Sequence, residues 1–190
     1  MEYMGDAQWW NNRFLDRSLN LMSRDQRLAD DLSRIKDQGQ VLDVACGDGR
    51  NSIFLAKKGY FVEAIDFSEE ALLRLNHFAD GEKLHIKTSL VDLISENAFS
   101  NLAEYDVIMI NHYRLNQSGY GDLEKHLKKD GILWVNGFLE VPVDNPRITD
   151  KDLLVDEDFE NIANCELENK ELYENGTHKL VRYIWRKSRA

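Results

Sequence analysis

The chain has 190 residues, of which 43% are hydrophobic and 31% charged, a composition typical of one globular domain with a sizeable core. Its 34 acidic residues outnumber its 24 basic ones, and the formal net charge of −10 argues against nucleic acid or an anionic membrane as a partner. Cys46 and Cys165 cannot build a disulfide framework, no Cys/His spacing suggests a metal site, and no apolar run reaches the roughly 18 residues of a membrane helix. We therefore expect a metal-free protein of the cytoplasm, with no membrane attachment.

The first 40 residues predict one or two amphipathic helices. Residues 7–37 contain neither glycine nor proline, and Leu21, Leu28, Leu32 and Ile35 recur at helical spacing.

Strands and helices alternate in the next segment. Residues 41–45 form a short apolar run, as expected of a strand buried on both faces of a parallel sheet. A helix is predicted over about 50–58, with Gly59 placed to end it in a left-handed cap. A second strand follows at 61–66, and Ser68 is a capping residue that predicts the start of the next helix.

The second half continues the alternation and then ends differently. Extended segments at 165–173 and 179–185 flank Asn175-Gly176, a strong hairpin signal. The fold class predicted is α/β: a Rossmann-like, doubly wound, mostly parallel seven-stranded sheet with a C-terminal antiparallel hairpin and helices on both faces. Its remaining predicted elements are strands near 84–86, 106–110 and 132–136, and a helix over about 117–129.

A glycine-rich turn lies where such folds bind ligands, beyond the carboxyl end of the first strand. In VLDVACGDGRN, Gly47 and Gly49 let the turn adopt unusual backbone angles and present its amides to a ligand. Asp66 ends the next strand about 20 residues later, which suits a carboxylate that accepts hydrogen bonds from both hydroxyls of a ribose. Together these features predict an adenosine site.

A dinucleotide is the less suitable ligand for this turn. The third position of the G-x-G-x-x-G pattern is Ser52 rather than glycine or alanine, and Asp43 and Asp48 would repel a pyrophosphate. A ligand with a cationic centre fits better than the cofactor of a nucleotide-dependent oxidoreductase.

The segment VLDVACGDGRNSIFLAKKGYFVEAIDFSEEAL resembles the first two motifs of the class I S-adenosylmethionine-dependent methyltransferases. More narrowly, it resembles the small bacterial members related to tellurite-resistance and thiopurine methyltransferases. Ala45 replaces the first glycine of the broader pattern, a variation common in the VLDxACGxGRN subgroup. The resemblance implies that residues 43–49 cradle the amino-acid end of S-adenosylmethionine and that Asp66 holds its ribose.

Further matches extend the likeness. Asp92 and Leu93 resemble the aspartate that accepts the adenine amino group and the apolar residue that covers the ring. Trp10 and Arg13 resemble the Trp-x-x-Arg-Phe opening of the small members, whose first helices fold over the cofactor, and Phe67 is placed either on adenine or in the core. The predicted cofactor ligands are Trp10, Arg13, Asp43, Ala45, Cys46, Gly47, Gly49, Asn51, Asp66, Phe67, Asp92, Leu93 and Asn111.

The segment after the fourth strand carries the candidate catalytic residues, His112 and Tyr113. Imidazole accepts a proton near neutral pH, so His112 is a candidate base, although both residues could simply shape the cavity. Arg114 would bind an anionic substrate or form a structural salt bridge. The Asn-Pro-Pro-Tyr pattern of adenine and glutamine methylation is absent, which argues against DNA bases as acceptors.

The resemblance implies an enzyme that transfers a methyl group from S-adenosylmethionine to a small molecule. We expect one methyltransferase domain over 1–190, as a monomer or homodimer, with a helical lid at 1–39 and a cofactor-binding core at 40–190. Two alternatives stay open: a cofactor-binding pseudoenzyme or sensor, and an RNA methyltransferase that uses the basic tail at 186–189.

Overall fold

The computed structural model describes residues 6–145 and 147–188, so Arg189 of the basic tail lies outside the described residues. Seven strands form a mixed sheet. The chain divides into two compact units between Leu93 and Ile94, and each is described separately below. Within the described ranges, no helix combines the length and apolar character needed to cross a membrane.

The first unit is built from helices and three parallel strands in the order β3-β2-β1. Ile53, Ala64, Leu75 and Ala79 form a buried cluster between these helices and strands. Its elements are α1 (Ala7–Leu15), α2 (Gln26–Asp30), a 3-10 turn (Asp31–Arg34), β1 (Gln40–Val44), α3 (Arg50–Lys57), β2 (Phe61–Asp66), α4 (Glu69–Gly81) and β3 (Ile86–Leu90).

Two local signals in this unit act as the sequence predicts. Gly59 follows α3 with φ +88°, a conformation open to glycine. Ser68 caps α4, because its Oγ accepts the Ala71 amide at 3.2 Å. These two residues fix where α3 stops and α4 starts, and therefore how the β1–α3–β2–α4 connections leave the sheet.

The second unit contains four strands in the order β4-β5-β7-β6. The β4 and β5 strands are parallel, whereas β7 runs antiparallel to both β5 and β6, which confirms the predicted closing hairpin. Its elements are β4 (Tyr105–Asn111), α5 (Gln117–Glu124), β5 (Leu127–Phe138), 3-10 turns (Asp150–Asp152 and Asp156–Phe159), β6 (Cys165–Asn175) and β7 (His178–Lys187).

The predicted boundaries of three elements are wrong: the helix at 117–129, the strand near 84–86, which spans Ile86–Leu90, and the strand at 132–136, which begins at Leu127. The helix predicted over 117–129 ends at Glu124, because Leu127 is buried and pairs with Tyr105 as the start of β5. The third strand begins at Ile86 rather than near Leu84, because the Leu84 amide still bonds to the Ala79 carbonyl at the exit of α4. Long-range pairing and helix capping decide these limits.

Candidate cofactor site

The turn between β1 and α3 has an unusual backbone. Ala45, Gly47 and Gly49 all have positive φ, at 56°, 56° and 83°. Ala45 adopts this conformation although its Cβ makes it unfavourable, and strained residues of this kind are found in functional turns. A Cβ on Gly49 would lie 2.1 Å from a methyl carbon of Leu75, so close packing of α4 leaves room for glycine alone. The backbone of this turn is therefore tightly specified.

Asp66 joins the end of β2 to this turn. One of its carboxylate oxygens accepts the Gly47 amide at 2.8 Å, and the other accepts the Ser68 amide at 2.9 Å. Burial raises the pKa of Asp66, while these backbone donors oppose that rise. The Gly47 amide is thus used internally rather than presented to a ligand. A carboxylate oxygen has about two acceptor sites, so Asp66 keeps the capacity to bind hydroxyl groups.

Asp43 is the second buried carboxylate at the turn. It is 2% exposed, and its Oδ2 accepts the Ser52 hydroxyl at 2.6 Å. The pKa of Asp43 is raised to about 7, because burial and the nearby charge of Asp66 raise it by more than Ser52 and Arg50 lower it. A buried acid of this kind gains most from a cation placed beside it, because the cation stabilises its ionised form.

Asp48 has a different role from the one predicted. Its Oδ2 lies 3.1 Å from Arg17 Nη1 and 3.3 Å from Arg74 Nη2. Arg74 also donates to the backbone carbonyls of Arg17 and Ser18. Asp48 therefore pairs with two guanidinium groups and anchors the chain after α1 to α4.

The N-terminal helices dock on the turn through contacts that sequence reasoning missed. Asn11 Oδ1 accepts the Ser68 hydroxyl at 2.7 Å and the Glu70 amide at 3.3 Å, at the start of α4. A Cβ placed on Gly47 would lie 3.5 Å from the ring of Phe14, so this ring lies next to the turn. Asn51, a predicted cofactor ligand, accepts the Asp25 amide at 2.9 Å and so holds the start of α2. Only the Trp-x-x-Arg-Phe resemblance hinted at this docking.

Trp10 and Arg13, the predicted ligands on α1, belong to an aromatic group. The Arg13 guanidinium lies 5.4 Å from the centre of the Trp9 ring and 5.7 Å from that of Trp10. The rings of Trp10 and Phe14 are 5.8 Å apart. This cation–π stacking fixes the side of α1 that carries both predicted ligands.

The remaining predicted ligands of the first unit lie near Asp66. Phe67 is half-buried directly after it, Asp92 is exposed and Leu93 is buried. The Val91 amide bonds to the Asp66 carbonyl at 2.9 Å, which brings the end of β3 to the end of β2. Asp92 and Leu93 therefore directly follow the residue that this hydrogen bond ties to Asp66, the predicted ribose ligand.

Cys46 is not set up as a nucleophile. Burial and the charges of Asp43 and Asp66 raise the pKa of its thiol well above the ordinary value, so the reactive thiolate is disfavoured. Within residues 6–145 and 147–188, no group of three or more His, Cys, Asp or Glu side chains is arranged to hold a metal ion.

In the second unit, the candidate catalytic segment follows β4. His112 has φ +57°, its amide donates to the Asn136 carbonyl at 2.7 Å, and its ring centre is 5.0 Å from that of Phe138. Tyr113 follows it and is half-buried. Of the two roles considered for Arg114, the structure shows the salt bridge: its Nη2 lies 2.6 Å from Asp158 Oδ1.

The fold and the acidic, glycine-rich turn are those of the Rossmann-like class I methyltransferases. The crystal structure of the N-methyltransferase NodS from Bradyrhizobium japonicum with S-adenosyl-L-homocysteine has the same fold, with a TM-score of 0.73 at 14% identity over 96% of this chain and 99% of that one. The family model of the tellurite resistance protein TehB matches residues 11–116, more than half of the chain. The chain therefore belongs to the TehB family.

Individual relatives agree with this assignment. The crystal structure of TehB from Haemophilus influenzae gives a TM-score of 0.70 at 25% identity, covering 87% of this chain and 63% of that one. A probable S-adenosyl-L-methionine-dependent methyltransferase TehB of Haemophilus influenzae is 34% identical over 101 residues, which are 52% of this chain and 34% of the relative. The chain thus spans about a third or less of the length of the curated relatives it matches first.

Proposed function

We propose that this chain is a cytoplasmic S-adenosylmethionine-dependent methyltransferase that acts on a small molecule. The observation that carries the proposal is the pair of buried carboxylates, Asp43 and Asp66, on either side of a strained glycine-rich turn. One of them is held near the point of ionisation, as suits a ligand that brings positive charge. We further propose that the chain acts as one methyltransferase domain, in which the helices before β1 form the lid.

Each group of residues has a separate task in this proposal. S-adenosylmethionine supplies a methyl group on a sulfonium centre, and the protein contributes position, desolvation and charge. Asp43 faces the positive amino-acid end, Asp66 accepts the ribose hydroxyls, and Asp92 with Leu93 and Phe67 receives the adenine. His112 accepts a proton from the acceptor or, with Tyr113, shapes the cavity around it.

Calorimetric titration with S-adenosylmethionine and S-adenosylhomocysteine tests the proposal. Asp66→Ala should weaken binding at least tenfold, because it removes the paired acceptors of the ribose hydroxyls and releases the Gly47 amide. Asp31→Ala is the matched control, since Asp31 is equally buried but lies on the 3-10 turn before β1. Absence of binding at high micromolar ligand would refute the proposal, and equal affinity of Asp66→Ala and wild type would refute the role of Asp66.

The pH dependence of binding provides a second test. A cation beside Asp43 favours its ionised form, so affinity should rise as the pH passes from 6 to 8 through the pKa of about 7. Asp43→Asn should bind weakly and lose this dependence. An unchanged pH profile in the variant would exclude Asp43 from the cofactor site.

The structure gives the RNA alternative little support. Arg186 donates to Glu168 and to the Asp130 carbonyl, and Lys187 donates to the Glu124 carbonyl. These basic groups are occupied within the second unit. Transfer of labelled methyl groups to bulk RNA at low salt would overturn the choice of a small-molecule acceptor.

A further inference from the structure

Three polar side chains form a hydrogen-bonded chain across the sheet of the second unit. Tyr173 Oη on β6 donates to Asn136 Oδ1 on β5 at 2.8 Å. Asn136 Nδ2 in turn donates to Asn111 Oδ1 on β4 at 2.9 Å. We call these residues the Tyr173–Asn136–Asn111 chain.

The middle residue of this chain is unusual for its place. Asn136 is completely buried and follows the apolar run Ile132–Val135, in which every side chain is buried. An amide in such a position is costly unless its donor and acceptor groups are both used. The Tyr173 hydroxyl uses the oxygen and Asn111 uses the nitrogen, so the two partners explain how a buried asparagine is tolerated.

The Tyr173–Asn136–Asn111 chain ends where the candidate catalytic segment begins. Asn111 is the last residue of β4 and pairs with Asn136 in the parallel register. The Asn136 carbonyl also accepts the amide of His112, whose φ of +57° is a conformation that L residues seldom adopt. A single buried residue therefore holds both the Asn111 side chain and the strained backbone after it.

The direction of these hydrogen bonds fixes the Asn111 amide. Because its oxygen accepts from Asn136, the other end of the amide, which carries two N–H donors, must point away from Asn136. At the far end, the phenolic hydroxyl of Tyr173 donates to the oxygen of Asn136, which leaves the Asn136 nitrogen to donate to Asn111.

We propose that Tyr173 and Asn136 are positioning residues that hold the Asn111 amide as a hydrogen-bond donor to the cofactor. This inference rests on the proposed function and on the role that the sequence predicts for Asn111, that of a cofactor ligand. Neither positioning residue touches the cofactor in this proposal; each acts through Asn111. Tyr173 lies on the closing hairpin, in a segment for which the sequence predicts no functional residue.

The test compares two tyrosines that each lose one hydroxyl. Tyr173→Phe breaks the Tyr173–Asn136–Asn111 chain, whereas the matched control Tyr183→Phe removes a hydroxyl on β7 that donates to Asp156 at 2.8 Å. The affinity for S-adenosylhomocysteine is measured by calorimetry. Tyr173→Phe should weaken it about fivefold, as expected for one lost hydrogen bond, and Tyr183→Phe should leave it unchanged.

A double-mutant cycle separates positioning from general structural support. In an Asn111→Ala background the Tyr173 hydroxyl has no amide to orient, so Tyr173→Phe should have no further effect on affinity. A merely structural role would weaken binding equally in both backgrounds.

The possible outcomes are distinct. If the wild type fails to bind S-adenosylhomocysteine, the proposed function fails and this inference with it. If the wild type binds, and Tyr173→Phe binds as tightly as Tyr183→Phe or adds its effect to that of Asn111→Ala, the positioning role alone is overturned. Non-additive loss confined to the Tyr173 variant supports it.

Discussion

Replacing Asp43 with asparagine should stabilise the fold above neutral pH. The carboxyl is fully buried, and its pKa rises from an ordinary 3.8 to about 7 in the folded protein. A carboxyl with a raised pKa contributes stability that is present below pH 4 and is lost as the pH rises through 7. At 1.36 kcal/mol for each unit, a shift of about three units costs the folded wild type roughly 4 kcal/mol at alkaline pH. Most of this, roughly 3 kcal/mol, is lost between pH 5 and pH 8.

Urea denaturation of the wild type and Asp43→Asn at pH 5, 6, 7 and 8 measures this cost. From pH 5 to pH 8, the free energy of unfolding of the wild type should fall by roughly 3 kcal/mol relative to that of Asp43→Asn. Ser52→Ala should deepen the loss in the wild-type background, because the Ser52 hydroxyl lowers the pKa of Asp43. Asp31→Asn controls for acid-to-amide replacement itself. Parallel pH profiles for the wild type and Asp43→Asn would refute the reasoning.

Two further substitutions test how the first unit is held together. Gly49→Ala should destabilise the protein by about 3 kcal/mol in thermal unfolding, because its Cβ would lie 2.1 Å from Leu75 and its φ is +83°. The control Gly81→Ala meets no atom within 4 Å and should be neutral or slightly stabilising. A small effect at Gly49 would show that α4 can shift. Arg74→Met should cost about 3 kcal/mol, since it strips a buried aspartate of one cation, while Lys57→Met breaks an exposed pair and should cost under about 0.5 kcal/mol. Equal losses from Arg74→Met and Lys57→Met would contradict this account.

The local part of the first unit is predictable from sequence. The β1–α3–β2 connection follows from short-range signals: an apolar run, two glycines and a capping serine. The limits of α5 and β5 do not, because the pairing of Leu127 with Tyr105 joins residues far apart in sequence. Local helical character at 125–129 is overridden by a strand partner.

The candidate site shows the same division. Asp43 and Asp66 are recognisable because each stands at a strand end with a glycine turn between them. The ion pairs of Asp48 could not be predicted from the sequence. Arg17 and Arg74 lie 31 and 26 residues away, and only the fold brings them to it. Asn136 is missed, although one available signal was an asparagine directly after an apolar strand run.

The shared use of Asn11 couples two motions that would otherwise be independent. The side-chain oxygen of Asn11 docks α1 by accepting hydrogen bonds from the capping hydroxyl of Ser68 and from the Glu70 amide. Lifting α1 away therefore withdraws support from the first turn of α4, directly after the predicted ribose ligand. We therefore expect local opening of the N-terminal helix and fraying of the first turn of α4 to occur together.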